Sequence, residues 1–151
     1  MNMAPGLEWR EDYGFGADND ILNMLSSYDA ADYAASKPLE SEPGAVFEYS
    51  TGTTQILAGL ISSTLELYGD DLRAELDARL FDPLGIEEDL LLDQQGAWLG
   101  GAFTSMTTRD FARFGLLHLR GGVWEDDQLV SRAWIEFMHE PSPAYSGYAG
   151  Q

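Results

Sequence analysis

The chain has no cysteine, and Lys37 is the sole lysine among its 151 residues. The first absence excludes disulfides and thiolate-bound zinc but leaves the cellular compartment open, because cysteine-free proteins occur in oxidising and reducing locations alike. The second excludes a Ser-x-x-Lys pair, since Ala34 stands three residues before Lys37, and it excludes Lys-Thr-Gly as well. Eleven serines are present, and none lies in Gly-x-Ser-x-Gly. Positive charge is scarce overall: 8 basic residues face 26 acidic ones, for a formal net charge of −18. Phosphate backbones and anionic lipid should be repelled, so no nucleic acid and no membrane surface is an expected partner. No apolar run approaches the ~18 residues of a membrane span, and the first residues do not form a charged-then-apolar leader.

What is present describes a folded domain. A composition of 44% hydrophobic and 12% aromatic residues is not that of a disordered chain. A chain of this length buries about two thirds of its unfolded surface as one domain. The pattern is helix-rich. Asp18 is a candidate cap for a helix reaching Tyr28, with Ile21, Leu22, Leu25 and Tyr28 on one face. Asp29 caps a short second helix that Pro38 stops. Thr51 or Thr53 opens the longest helix, whose apolar positions Ile56, Leu57, Leu60, Ile61 and Leu65 recur at three and four until Gly69 closes it. Asp70 begins another, with Leu72, Leu76 and Leu80 four apart, ended at Pro83. Thr107 to Asp110 approximates a capping box for a helix running to Gly121-Gly122. Ser131 caps the last helix, through His139. Short strands are expected only near Phe47 and between Trp98 and Thr104, and the tail from Pro141 to Gln151 is expected to be loose.

One segment carries chemistry. Pro43-Gly44-Ala45-Val46-Phe47-Glu48-Tyr49-Ser50-Thr51-Gly52 is a turn and a short extension that delivers Tyr49 to the start of the longest helix. Unpaired N–H groups and the helix dipole favour developing negative charge there. A phenol of ordinary pKa near 10 acts as a base near pH 7 only if the phenolate gains about 4 kcal/mol. The helix end supplies about 0.3–1 kcal/mol. A cation must supply most of the rest, and the chain's only lysine belongs to no recognisable catalytic pair.

Other groups have plainer readings. His118 is expected as a packed or surface histidine and His139 as a partner of a helix C-terminus, so no metal site is expected. Gly14-Phe15-Gly16 lacks the third glycine and the preceding strand of a dinucleotide loop. Glu87-Glu88-Asp89 and Glu125-Asp126-Asp127 lack calcium-loop spacing and read as solvated turns. Trp98 and Trp124 read as core.

The motif Pro43-Gly44-x-x-Phe47-x-Tyr49-Ser50-Thr51-Gly52-Thr53-Thr54-x-x-Leu57-x-Gly59 resembles the middle motif of serine hydrolases related to class C β-lactamases and penicillin-binding proteins, a group that includes esterases and 6-aminohexanoate-dimer hydrolases. Collinear stretches extend the resemblance over essentially the whole chain: residues 2–9, Leu80-Phe81-Asp82-Pro83-Leu84-Gly85-Ile86, and Gly100 through Gly115 with its Arg109-Asp110-Phe111-Ala112-Arg113-Phe114-Gly115 helix. The resemblance implies an α/β (α+β), β-lactamase/transpeptidase-like fold, of which this chain is mainly the helical region with a few short strands. It implies Tyr49 as a catalytic general base or acid and Thr51 as a substrate-binding residue, in a place where many members carry Asn. The family's Ser-x-x-Lys and its final active-site strand motif have no match. Residues 1–151 are therefore expected to be the central portion of such a domain, inactive alone. The enzyme that the resemblance implies needs no cofactor. The substrate would be a small ester or amide, β-lactam or D-Ala peptide-like, and the missing half of the domain would be a partner. The alternatives are a non-catalytic helical interaction module or one half of a split enzyme. Many relatives are periplasmic or secreted, and the sequence does not fix the compartment.

Overall fold

Side-chain caps set five of the helix starts in the computed structural model, which describes residues 2–11 and 18–149. The first helix, α1 (Asp20–Ser26), starts one residue later than the Asp18 expectation because Asn19 accepts from the Ile21 N–H. Asp29 caps α2 (Ala30–Ala35) as expected, accepting from Asp32 N at 2.8 Å. The longest helix, α3 (Thr51–Leu65), does open at Thr51, and its cap is Ser50, whose Oγ accepts from Thr53 N at 3.1 Å. It closes earlier than expected: Glu66 takes the left-handed conformation, φ 57°, and Gly69 begins α4 (Gly69–Leu76) instead of ending α3.

Pro83 does not stop the following helix. The chain widens into a π-helical turn over Asp77–Phe81, which frees Pro83 from having to donate in a regular ladder, and continues as α5 (Asp82–Leu84) to Gly85 at φ 61°. Thr107 caps α6 (Thr108–Leu119), donating to Asp110 Oδ2 at 2.6 Å and accepting from its N–H. Ser131 caps α7 (Arg132–Met138), and His139 is its C-cap. Three antiparallel pairs complete the described residues: β1 (Glu88–Leu90) with β2 (Thr104–Met106), β3 (Val123–Trp124) with β4 (Asp127–Gln128), and β5 (Pro141–Ser142) with β6 (Tyr145–Ala149). The segment around Phe47 is extended without a strand partner, and the tail expected to be loose is the β5–β6 hairpin. Aromatic contacts order that hairpin: Tyr145 and Tyr148 pack on Phe47 with ring centres 4.9 and 5.0 Å away, and Ser142 Oγ donates to Asn2 O at 2.9 Å.

The described residues form two buried clusters. Trp9, Met24, Ala30, Ala34 and Leu99 gather where α1, α2 and α3 meet. Phe81, Leu84, Ile86, Leu90 and Leu117 form the second, with Trp98 and Trp124 packed against it, as their reading as core residues anticipated. The face of α3 that is buried is not the apolar stripe. Thr51, Gly52, Thr53, Gln55, Ala58 and Ser62 are inside, while Leu60 and Ile61 are exposed. Small side chains let the helix lie close: a Cβ on Gly52 would sit 2.5 Å from the Trp9 ring. Gln55, fully buried, donates to Trp98 O at 2.9 Å and so is not an unsatisfied amide. Among the described residues no helix is long and apolar enough to cross a membrane. Gly14-Phe15-Gly16 lies outside the described residues.

Candidate active site

Tyr49 is the last residue before the Ser50 cap, so the extended segment aims it at the beginning of α3. It is 58% exposed and leans edge-on against Tyr148, ring centres 6.2 Å apart. The hairpin thus supports one side of the phenol and leaves the rest open. It lines a cleft of about 400 Å³ to which α1 contributes Ile21, Leu22 and Leu25, and the turn before β2 contributes Gly101, Ala102 and Phe103. Phe103 keeps a left-handed φ of 62°, a conformation that disfavours a bulky side chain and persists only when the surroundings impose it. Gly101 is required by contact: a Cβ there would meet Thr51 O at 2.7 Å.

Thr51 lines the same cleft but is nearly buried, and its hydroxyl donates to Glu11 Oε1 at 2.8 Å. Sequence reasoning missed Glu11. Its other oxygen accepts from Thr51 N at 2.9 Å and from Trp9 Nε1 at 3.0 Å. The Glu11 carboxyl group therefore already occupies the end of α3, where the dipole is worth about half a positive charge. No pattern marks an acid forty positions upstream as a helix-end partner, so the signal is purely tertiary. The adjacent Ser50 is buried and used as the cap, which removes it as a nucleophile candidate. No lysine or arginine is among the described lining residues.

Lys37 works elsewhere. Its Nζ pairs with Asp20 Oδ1, and it lies over the Tyr33 ring at 4.6 Å. Tyr33 OH donates to the same carboxylate oxygen at 2.7 Å, and Arg10 N donates to the other at 2.8 Å. Burial pushes the Asp20 carboxyl up, and the Lys37, Tyr33 and Arg10 contacts outweigh it, holding the group below its ordinary 3.8. Burial pushes Lys37 down, and Asp20 and Tyr33 more than reverse that, to above its ordinary 10.5. This cluster ties the N-terminal segment to α1 and α2.

A larger hollow, about 580 Å³, surrounds the start of α6 and lies apart from Tyr49. There Arg113 donates to Asp110 Oδ1 at 2.6 Å, and Tyr49 is not among its lining residues, so the candidate site remains the Tyr49 cleft. Of the acidic runs expected as solvated turns, Glu125 and Asp126 do form the turn between β3 and β4. Glu88 departs from that expectation: its side chain is 8% exposed, with Arg73 Nη1 at 3.7 Å. Burial first, and then Asp77, raise its carboxyl above the ordinary 4.5.

This arrangement of helices and short strands has solved counterparts. A Bacillus anthracis structure provisionally named a 6-aminohexanoate-dimer hydrolase superposes with a TM-score of 0.75 at 20% identity, over 95% of this chain and 42% of that one. A Bacteroides dorei structure provisionally named a β-lactamase gives 0.59 at 17% identity, over 81% and 43%. At such identities the likeness shows the fold, which is β-lactamase-like and mixed α/β. A sequence profile described as Beta-lactamase matches residues 1–150, and the chain belongs to that family. The 6-aminohexanoate-dimer hydrolase of Paenarthrobacter ureafaciens is 32% identical over 91 residues, 60% of this chain and 23% of that protein. The chain therefore spans less than half the length of each of these relatives.

Proposed function

We propose that the chain is the central, mostly helical portion of a cofactor-free serine hydrolase domain that cleaves a small ester or amide through an acyl-enzyme. Tyr49 exchanges a proton with the attacking hydroxyl of a Ser-x-x-Lys segment outside this chain. The observation that carries this reading is the open phenol at the cleft rim: Tyr49 is 58% exposed, supported on one side by Tyr148 and free of apolar enclosure. Family membership and hydrolase relatives support it. In the reaction, the serine oxygen bonds to the substrate carbonyl carbon as its proton passes to the Lys–Tyr pair; that proton goes to the leaving group as the carbonyl–leaving-group bond breaks, and water then hydrolyses the acyl-serine. Glu11 sharpens the requirement for a partner. With its carboxylate bound at the start of α3, the helix end is not available to balance a phenolate, and the cation must arrive with the missing segment.

Thr51 stands in the family's substrate-orienting place. Its hydroxyl hydrogen is engaged by Glu11, so toward a substrate it offers its oxygen lone pairs and its methyl group. By itself the chain is inactive, since it holds the proton-transfer residue without the nucleophile.

The test has two arms. The chain alone should not turn over nitrocefin or p-nitrophenyl acetate. Joined to a family segment carrying Ser-x-x-Lys and the final strand, it should do so, and Tyr49→Phe should lower that rate by about 10²–10⁴-fold. Hydrolysis by the chain alone that Tyr49→Phe abolishes, or restored turnover that Tyr49→Phe leaves intact, overturns the assignment.

A further inference from the structure

The chain contains two histidines, and they meet. His118, in the last turn of α6, and His139, the C-cap of α7, bring Nδ1 and Nε2 to 3.5 Å across 21 positions of sequence. Their ring centres are 5.6 Å apart and the planes are tilted by 32°. As a hydrogen bond this is long, since good N–H donors sit about 2.7–3.2 Å from their acceptors. As a chelate it is close to ideal. With metal–nitrogen bonds of about 2.0–2.1 Å and a tetrahedral angle, two imidazole nitrogens sit about 3.3–3.4 Å apart. Ring centres about 1.2 Å behind those nitrogens are then roughly 5.2 Å apart by the same construction. Both observed separations exceed these values slightly and in the same sense, which corresponds to a bite a little wider than tetrahedral.

We propose that His118 and His139 form a two-imidazole site for a borderline divalent cation of the zinc, copper and nickel class, linking the C-terminal ends of α6 and α7. His118 is half-buried and His139 is exposed, so a hydrated ion reaches both. The Phe114 ring, 5.0 Å from His118, limits how far that imidazole can swing. Among the described residues no third histidine, cysteine or carboxylate joins the pair, so water completes the coordination. Imidazole selects these ions over magnesium and calcium, which prefer oxygen. The net charge of −18 raises the local concentration of any cation and makes discrimination from carboxylate binding the crux of the test.

The chelator-stripped chain, titrated with Zn²⁺ by calorimetry in excess Mg²⁺, should bind one ion saturably. Loss of a direct ligand is at least as serious as loss of an outer-sphere partner, so His118→Gln and His139→Gln should each weaken binding about tenfold or more. The Cu²⁺ electron paramagnetic resonance spectrum should show coupling to two nitrogens in the unaltered chain and one in each variant. Absence of two-nitrogen coupling in the unaltered chain overturns the site, whether or not the variants fold. So does Zn²⁺ binding that both substitutions leave unchanged, which would assign the ion to the acidic surface.

Discussion

The two halves of the interior differ in how much polar and small-residue packing they bury. Around α1, α2 and α3, Trp9, Met24 and Leu99 pack against alanine and glycine, and Asn19, Asp20, Ser50, Thr51, Thr53, Gln55 and Ser62 are buried beside them. Around α5, β1 and α6 the buried side chains of the core are large and apolar throughout: Phe81, Leu84, Ile86, Leu90 and Leu117. The first half fixes backbone positions by close approach and hydrogen bonding, which tolerates little added volume. The second is held by apolar area, which tolerates little removed volume. The Tyr49 cleft belongs to the first, so the region placing the phenol is the one built on short, directional contacts.

The contrast is broken most strongly from the all-apolar side. Leu117→Ala, which empties a fully buried position, should lower unfolding free energy by about 2–5 kcal/mol in denaturant titrations, and Leu117→Met by less than about 1.5 kcal/mol. A smaller but diagnostic loss comes from adding one carbon: Gly52→Ala drives a methyl group into the Trp9 ring and should cost about 1–3 kcal/mol. If that substitution proves neutral, the close-contact description of the first half is wrong. Glu11→Ala removes the partner of two N–H groups and a hydroxyl and should cost about 1–3 kcal/mol. Trp9 fluorescence should report a changed ring environment. The smallest effect concerns Glu88. A carboxyl raised in the folded state contributes stability below its ordinary 4.5 and loses it as pH rises through the higher folded value. Charged Glu88 is thus a liability at neutral pH, so Glu88→Gln should raise the melting temperature at about pH 8 and give no advantage at about pH 4.

Local chemistry was legible in the sequence wherever a cap or a motif sits within a few residues. Asp29, Thr107 and Ser131 each cap the helix expected of them, because a side chain reaching an N–H two or three positions on needs no tertiary context. The collinear motifs likewise marked the family. The buried face of α3 was misread for a definable reason. Periodicity finds where large apolar residues recur, whereas this helix turns its small and polar side inward to approach Trp9 and Gly101 and leaves Leu60 and Ile61 outside.

Composition and short-range pattern determined by themselves that the chain is acidic, helix-rich, free of disulfides and without a Ser-x-x-Lys pair, because those properties reside in residue identity and near neighbours. Only the tertiary structure decided that Glu11 occupies the start of α3, that the β5–β6 hairpin supports Tyr49, and that His118 meets His139. Each of these joins residues 21 or more positions apart. Which remote groups meet is set by how helices and turns pack, and no local periodicity encodes that.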